Sequence, residues 1–370
     1  MSRLRVALVH PTYWPEVRRG SERVVHDLAA YLRGRGLEAS VLTGHRGVPS
    51  SSSEDGVRVL RTWRPPERLR PRGFEPYAGH APLALVSLLR HRFDIVHAFH
   101  VPDAAAASLW ARITRRPLVV SMMGFPDRIS IDAVASRRRM LRFAARRADR
   151  LHLLSDAAAR ALREATGLEA DPIPPGTWVG AFRHDGRRSD LPTIFCAASA
   201  ADPRKGVAEL IDAFGLLRRE RPDARLVLSG PLPERLAPRL SEPGVESVDL
   251  GSDQAALVRA YGSAWATVLP SVREAFGQVL VESLAAGTPV VAIRSGAAPE
   301  IVEDGEVGVL ADSREPSPLA AALAAGLELS RRPRVEEACR THAARWDWSV
   351  VGPRFEALYE EAIGARGPAR

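Results

Sequence analysis

The stretch from residue 269 to residue 292 constrains the fold of this chain more than any other. It ends one apolar run, passes through a polar turn, enters an amphipathic segment at about 276–286 and finishes in the β-rich run 289–293. This pattern predicts a strand, a loop, a helix that stops at Gly287 and a second strand.

The same stretch carries groups suited to phosphate and sugar. Gly277 lets the backbone approach a bound group at the point where a helix N-terminus leaves N–H donors free, which favours an anion. Glu274 lies in the loop before it and Glu282 lies in the helix after it. The rise from Gly277 to Glu282 is about 7 Å, the scale of the step from a diphosphate to a ribose. For an arbitrary pair of glutamates, solvated surface positions would be the ordinary interpretation.

Length and composition favour a soluble protein of two domains. The chain has 370 residues, of which 45% are hydrophobic and 26% are charged, enough for two full cores. It has no apolar run near 18 residues in length and no signal-peptide pattern, so a cytoplasmic location is expected. Cys196 and Cys339 match no metal-ligand spacing and are expected to be reduced, with Cys196 in the core.

The strongly basic charge leaves several partners open. A net charge of +8 and a pI near 10.3 suit nucleic acid, an anionic membrane or a phosphorylated substrate. Nucleic acid is the weaker interpretation, because no zinc-finger, helix-turn-helix or RNP-like motif accompanies the charge. Residues 136–150 predict an arginine-rich helix. It is either a solvated helix or a peripheral contact with an anionic membrane, worth about 1 kcal/mol per basic residue.

Lys205 is the one lysine in a chain whose other cationic residues are arginines. It lies beside Arg204 in the loop 202–206, just after the first strand of the second half. Lysine is a compact point charge that binds phosphate without planar geometry. The sequence therefore makes Lys205 a candidate phosphate ligand.

The N-terminal residues predict the start of a Rossmann-like domain. Residues 5–9 and 39–43 are predicted strands, and 21–33 is a predicted helix capped by Ser21. Ligands are expected at the carboxyl ends of such strands. Residues 47–80 are rich in Pro, Gly, Ser and Arg and are expected to form a surface loop with one short strand at 57–60.

Residues 269–310 resemble the C-terminal sequence pattern of the retaining glycosyltransferase family 4, whose members have the GT-B fold. The resemblance implies an α/β protein with two Rossmann-like doubly wound domains facing a cleft. It assigns the donor sugar to Glu274 and the ribose of the nucleotide to Glu282. The backbone N–H groups of Phe276 and Gly277 would assist in holding the phosphates, and Gly230 marks a tight turn near the nucleotide.

Several positions depart from the pattern of the family. Arg19-Gly20 stands where the family has a glycine pair near the donor phosphates. Met123 stands where many members have a histidine, and a thioether cannot transfer a proton. Ser199 stands where the phosphate-binding arginine is expected, so Arg204 is the candidate to replace it.

His100 ends a strand that resembles the Asp-Val-Val-His-x-His strand of the family. With Met123 and Arg19 it is a candidate on the acceptor side. A histidine at a strand terminus is more often structural than catalytic, and this applies to His97 as well.

The resemblance also implies a domain plan. Residues 1–180 are expected to form an acceptor-binding domain, joined by a C-terminal helix at 350–370. Residues 190–349 are expected to bind the nucleotide sugar, with a linker and hinge at 176–192. Trp346 and Trp348 mark the crossing back and are expected to pack rather than to stack on sugar.

The implied reaction is transfer of a sugar from a nucleotide-diphosphate donor to an acceptor hydroxyl with retention of configuration. Lys205 and Arg204 would stabilise the charge on the leaving diphosphate. No metal or other cofactor is expected, and the leaving phosphate would accept the proton of the acceptor. The acceptor is expected to be a small molecule or a lipid-linked glycan, in cell-envelope glycolipid synthesis or secondary metabolism of a bacterium.

Two alternatives remain at the level of sequence. A sugar-nucleotide epimerase shares the GT-B fold but needs no separate acceptor. A non-catalytic sugar-nucleotide-binding subunit is slightly favoured by Met123, Ser199 and Arg19. A nicotinamide dehydrogenase is disfavoured, because neither βα turn carries a Gly-x-Gly-x-x-Gly motif.

Overall fold

The computed structural model describes residues 4–70, 72–184, 186–251 and 253–366. The chain divides into two compact units. The first runs to Gly176 and takes in the chain again from Trp348, and the second is Thr177–Asp347. Each unit is built on one largely parallel sheet with helices on its faces.

The first unit contains an eight-stranded sheet in the order β3-β4-β2-β1-β5-β6-β7-β8. Its strands pair in parallel, except that β3 runs antiparallel to β4 at the edge. The strands are β1 (Arg5–Val9), β2 (Glu38–His45), β3 (Ser50–Glu54), β4 (Val57–Trp63), β5 (Ile95–Ala98), β6 (Leu118–Met122), β7 (Arg150–Leu153) and β8 (Asp171–Pro172). Its helices are α1 (Gly20–Gly34), α2 (Ala81–Arg90), α3 (Val101–Thr114), α4 (Arg128–Asp132), α5 (Arg137–Ala145) and α6 (Asp156–Thr166).

The second unit contains a six-stranded sheet in the order β11-β10-β9-β12-β13-β14, with every pairing parallel. The strands are β9 (Thr193–Cys196), β10 (Arg225–Ser229), β11 (Val245–Val248), β12 (Ala266–Leu269), β13 (Val290–Ile293) and β14 (Gly308–Ala311). The helices are α7 (Val207–Glu220), α8 (Gln254–Ser263), α9 (Gln278–Ala285), α10 (Ala298–Ile301), α11 (Pro316–Leu329) and α12 (Val335–Ala343). The last helix, α13 (Trp348–Gly364), belongs to the first unit.

Two apolar clusters cover the two faces of the first sheet. One packs α1 and α13 against the strands, through side chains such as Leu28, Leu32 and Phe355. The other packs α2, α3 and α5, with Leu88, Trp110 and Leu141 buried in it. A strand that is covered on both faces has no solvent-facing positions for polar residues. These strands therefore appear in the sequence as continuous apolar runs rather than as an alternation of apolar and polar residues.

A chain of buried polar groups crosses the first sheet beneath α13. Tyr359 Oη lies 2.8 Å from His97 Nδ1, and His97 Nε2 lies 2.6 Å from Ser121 Oγ. Ser121 Oγ lies 2.5 Å from His152 Nδ1, and His152 Nε2 donates to the carbonyl oxygen of Ile173 at 2.8 Å. Because Ile173 O can only accept, each bond in the chain has one donor when both imidazoles are neutral. His97 is therefore structural, as its position predicted.

The central strand, helix and strand of the sequence analysis form β12, α9 and β13. Cys196 is fully buried, and Trp346 and Trp348 are buried as the packing residues that were predicted. Ser21 does not cap α1. Arg19 occupies the N-cap position, and its side chain makes no capping hydrogen bond.

Three segments differ from their predicted structure. The stretch 47–80, predicted as a loop with one short strand, contains the whole hairpin of β3 and β4. The stretch 176–192, predicted as a linker, packs on the second unit from Thr177 onward: Thr177 N–H donates to Trp346 O at 2.8 Å, and Phe182 is fully buried. The basic helix predicted at 136–150 forms only over Arg137–Ala145, and the last residue of the predicted range, Arg150, begins β7.

Within the described residues, no helix has both the length and the apolar character needed to cross a membrane.

Candidate functional site

Lys205 and Glu274 meet at the C-terminal ends of the strands of the six-stranded sheet. The ammonium group of Lys205 donates to Glu274 Oε2 at 2.8 Å, and both side chains remain partly exposed. Lys205 ends the short turn Pro203–Lys205 after β9, whereas Glu274 lies in the loop after β12. These two strands are neighbours, so their following loops lie side by side. A partly exposed ion pair adds little stability, so the lysine can exchange this carboxylate for another anion at little cost.

Two glycines allow neighbouring loops to pack closely against the loop that carries Glu274. Gly206 has a φ of +69°, and a Cβ there would lie 2.6 Å from the carbonyl oxygen of Pro270. Gly296 has a φ of +59°, and a Cβ there would lie 2.4 Å from the carbonyl oxygen of Glu274. That oxygen also accepts the N–H of Ala297 at 3.0 Å. A side chain at Gly206 would push the loops of Lys205 and Glu274 apart, and one at Gly296, in the loop after β13, would displace the Glu274 loop itself.

The N-terminus of α9 follows directly after Glu274. Gly277 occupies the N-cap position with a φ of +105°, and Phe276 is buried beside it. The backbone N–H groups of Phe276 and Gly277 have no acceptor in the described part of the chain. Free donors and the positive end of the helix dipole together favour an anion at this place.

Glu282 is buried in α9, one helical turn beyond this anion-binding end. Its Oε2 accepts a hydrogen bond of 2.8 Å from the hydroxyl group of Tyr261 in α8. Tyr261 is itself fully buried and makes edge-to-face contacts with Phe182 and Phe195. Sequence reasoning did not single out Tyr261. Its one signal was a polar-tipped aromatic side chain in a helix of mostly small residues.

Arg204 lies within electrostatic range of Glu274, but its close contact is with Asp202 rather than with Lys205 or Glu274. Its guanidinium group donates to Asp202, with Nη2 2.7 Å from Oδ2, and its side chain is 76% exposed. This hydrogen bond raises the pKa of Arg204 above its ordinary value. Ser199 is exposed after β9, and Gly230 forms the turn after β10 with a φ of +80°. Both lie at the same end of the strands as Lys205.

The acceptor-side candidates lie at the C-terminal ends of strands in the first sheet. Arg19 and Gly20 open α1 after β1, His100 follows β5, and Met123 follows β6. These three strands are adjacent in the sheet. Met123 is half-buried and packs against the apolar cluster of α1 and α13. It therefore contributes bulk at these strand ends.

His100 is backed by a buried carboxylate. Its Nδ1 is buried and lies 3.5 Å from Asp103 Oδ2, while the side chain as a whole keeps 18% exposure. The other oxygen of Asp103 lies 2.9 Å from His80 Nδ1, and both of those residues are fully buried. Burial works to raise the pKa of Asp103, but the two imidazoles outweigh it and hold that pKa below its ordinary range. The exposed edge of His100 thus faces away from a fixed carboxylate.

Further buried polar residues, which the sequence analysis did not identify, line these strand ends. Thr12 donates to Glu22 Oε1 at 2.6 Å, and Glu22 is almost fully buried. His10 Nδ1 donates to the carbonyl oxygen of Thr12 at 2.6 Å. Burial lowers the pKa of His10 to about 4, which leaves this imidazole neutral at pH 7. His10 lies near His100, with the two ring centres 6.4 Å apart.

Among the residues that the structure describes, no group of three or more His, Cys, Asp or Glu side chains is placed to hold a metal ion.

Two parallel α/β units, each with candidate groups at the C-terminal ends of its strands, are the architecture of the GT-B fold, and solved structures agree. Sucrose-phosphate synthase from Thermosynechococcus elongatus superposes with a TM-score of 0.82 at 19% identity, over 98% of this chain and all of that one. Alr3699/HepE from Anabaena, solved in complex with UDP, superposes with a TM-score of 0.76 at 20% identity, over 96% of this chain and all of that one. At these identities the likeness establishes the fold.

The chain belongs to glycosyltransferase family 4. Residues 19–176 match the family model "Glycosyl transferase 4-like domain", and residues 181–344 match "Glycosyl transferases group 1". It is 31% identical over 380 aligned positions to phosphatidyl-myo-inositol mannosyltransferase of Mycobacterium tuberculosis, an alignment that covers 98% of each protein. The chain is therefore an enzyme, a glycosyltransferase of the hexose-transferring kind, and the interpretation as a non-catalytic subunit is not supported.

Proposed function

We propose that this enzyme transfers a hexose from a nucleotide-diphosphate donor to an acceptor hydroxyl with retention of anomeric configuration. The observation that supports this most directly is the ion pair of Lys205 with Glu274 beside the N-terminus of α9. It gathers a cation, a carboxylate and free backbone donors at one place. A diphosphate with an attached sugar requires these three kinds of partner.

In the proposed reaction the bond between the anomeric carbon and the leaving phosphate oxygen breaks while negative charge grows on the diphosphate. Lys205 turns from Glu274 to that charge, and the N–H groups of Phe276 and Gly277 share it. Glu274, released from the lysine, accepts hydrogen bonds from the hydroxyl groups of the donor sugar. The acceptor hydroxyl attacks from the face that the diphosphate leaves, and its proton passes to a phosphate oxygen.

Glu282 would recognise the ribose of the nucleotide. Its carboxylate is buried and oriented by the hydroxyl group of Tyr261. A buried carboxylate that is already desolvated loses little further hydration when it binds a ribose hydroxyl. On this proposal the donor site needs no metal ion, because its positive charge comes from Lys205 and the helix terminus.

The acceptor is proposed to lie in or near a membrane. The relative from Mycobacterium tuberculosis is named for transfer to phosphatidyl-myo-inositol, which makes that lipid the first acceptor to test here. The arginine-rich helix α5 would then contact anionic lipid, as the sequence analysis considered. His100, Arg19 and Met123 remain the proposed acceptor-side residues.

Thermal unfolding against UDP, GDP, ADP, dTDP and their hexose conjugates tests the donor half of the proposal. One nucleotide is expected to stabilise the wild type, since a ligand at a hundred times its Kd adds about 2.7 kcal/mol. The same nucleotide is expected to stabilise Glu282→Gln much less. This change keeps the shape of the side chain and the partner of Tyr261 while it removes the charge.

The stabilising donor is then incubated with phosphatidyl-myo-inositol, and the anomeric configuration of the product is determined by NMR. A product with inverted configuration contradicts retention. Stabilisation that is equal in the wild type, Glu282→Gln and Lys205→Ala would place the nucleotide elsewhere on the protein.

A further inference from the structure

Three neighbouring helices of the first unit form a surface that the proposed donor chemistry does not use. Helix α3 packs between α2 and α5 on one face of the eight-stranded sheet. Their inward sides supply the buried residues Leu88, Trp110 and Leu141. Their outward sides form what is called here the α2–α3–α5 face.

The middle of this face is apolar and exposed. Val86 and Leu89 on α2 are 43% and 46% exposed, and Leu109 and Ile113 on α3 are 39% and 64% exposed. The spacings of three and four residues place each pair on a single side of its helix, opposite the buried positions. Single exposed apolar residues are ordinary, whereas four on two packed helices mark a contact surface.

The charge on this face has one sign. Helices α2 and α5 contain no acidic residue, and the single one in α3, Asp103, is fully buried. The exposed arginines are Arg90, Arg112, Arg139, Arg142 and Arg146. None of these five side chains has a carboxylate partner in the described part of the chain. The arginines on α5 recur at 139, 142 and 146, a spacing that places them along one stripe of that helix and its end.

We propose that the α2–α3–α5 face docks on the surface of an anionic phospholipid membrane. The four apolar side chains enter the interface between head groups and acyl chains, while the unpaired arginines bind lipid phosphates. A docking surface of this kind needs both apolar and basic side chains, because the attraction between basic residues and lipid is by itself screened by salt. Docking would bring the enzyme to the membrane-borne acceptor of the proposed function, on which this inference rests. Docking itself requires no turnover.

Nucleic acid fits the same surface less well. Interfaces with nucleic acid are polar and positively charged throughout, and here the middle of the face is apolar. A protein partner would need an apolar patch surrounded by acidic residues. A membrane that contains phosphatidylglycerol presents both features at once.

Sedimentation with vesicles tests the proposal on the full chain. The protein is expected to bind vesicles of phosphatidylcholine mixed with phosphatidylglycerol, and to bind vesicles of phosphatidylcholine alone much more weakly. Replacing three arginines of the stripe with glutamine is expected to lower partitioning about a hundredfold at low salt. Replacing Leu89 and Ile113 with serine is expected to weaken the binding that survives at high salt. The variants are Arg139→Gln with Arg142→Gln and Arg146→Gln, and Leu89→Ser with Ile113→Ser.

Matched control variants in the second unit make the result specific to this face. One removes the same amount of charge from exposed arginines, and the other removes the same kind of apolar group. They are Arg219→Gln with Arg334→Gln and Arg345→Gln, and Leu191→Ser with Leu240→Ser. Both controls are expected to bind vesicles as the wild type does.

Three results would overturn the proposal: no binding to anionic vesicles at low salt, an equal loss in the stripe variant and its control, or tighter binding to duplex DNA than to vesicles. Thermal stabilisation by the donor nucleotide, measured on the same samples, separates failure of membrane docking from failure of the proposed reaction. A variant that keeps nucleotide binding and loses vesicle binding supports docking alone.

Discussion

Lys205 and Arg204 are adjacent in sequence, yet their side chains have different partners in the structure. The sequence could indicate a cationic pair for phosphate, because a lone lysine in an arginine-rich chain is unusual. It could not show that Arg204 pairs with Asp202, its neighbour two positions back, and is largely exposed. The direction in which a long side chain extends depends on local partners that a motif does not contain.

Lys205→Ala is expected to weaken nucleotide-diphosphate binding by about 1.5 to 3 kcal/mol, the scale of a charge-assisted contact. Arg204→Ala serves as the control and is expected to cost less than about 1 kcal/mol of binding free energy, because its guanidinium group is largely exposed and already bonded to Asp202. Isothermal titration with the stabilising nucleotide measures both. Equal losses in the two variants would restore Arg204 to the site.

Tyr261→Phe removes only the hydroxyl group that orients Glu282. The folded chain is expected to lose about 1.5 to 3 kcal/mol of stability, since the bond goes to a buried carboxylate. Affinity for the whole nucleotide should fall, whereas affinity for free pyrophosphate should stay unchanged. Titrations with the two ligands measure this difference. If both affinities fall together, Glu282 does not bind the ribose.

At the scale of elements, the strand, helix and strand from β12 to β13 could be predicted because their periodicity is strong and local. The edge strand β3 could not, because its residues Ser50–Glu54 carry no apolar pattern and are held by pairing with β4. The stretch after Thr177 has the composition of a linker, yet Phe182 anchors it to the second unit through contacts distant in sequence. The bond between Tyr261 and Glu282 escaped prediction for the same reason.

Gly206→Ala is expected to disturb the junction of two loops. Its positive φ and the carbonyl oxygen of Pro270 both oppose a side chain, so unfolding stability should fall by more than about 1 kcal/mol. Nucleotide binding should fall with it, because Lys205 is displaced. Gly215→Ala in α7 is the matched control: apart from its chain neighbours and the backbone of its own helix, no atom of the described residues lies within 4 Å of a Cβ there. It should stabilise the protein by about 0.5 to 1 kcal/mol and leave binding intact. A Gly206→Ala variant with normal affinity would show that the close approach is dispensable.

At the scale of the whole molecule, the two units should respond differently to acid. Burial lowers the pKa of His10 and of His152 to about 4, and it holds the pKa of His97 well below its ordinary value. All three belong to the first unit. Each is neutral in the folded state, but in the unfolded chain it takes up a proton below about pH 6.5.

Because the pKa of each of these histidines is depressed in the folded state, each contributes stability that is present above about pH 6.5 and is lost as the pH falls toward 4. The slope reaches about 1.4 kcal/mol per pH unit for each histidine. Protonation of His97 would also turn its Nδ1 into a donor to Tyr359 Oη, which leaves the hydroxyl proton of Tyr359 without its acceptor in the buried chain and weakens the attachment of α13. We therefore expect α13 and the strands beneath it to lose protection from hydrogen exchange between pH 7 and pH 5, after correction for intrinsic rates. Strands β9 to β14 should change little over that range, because most carboxylates are still ionised. Equal loss of protection in both units would mean that the buried histidines do not govern the acid response.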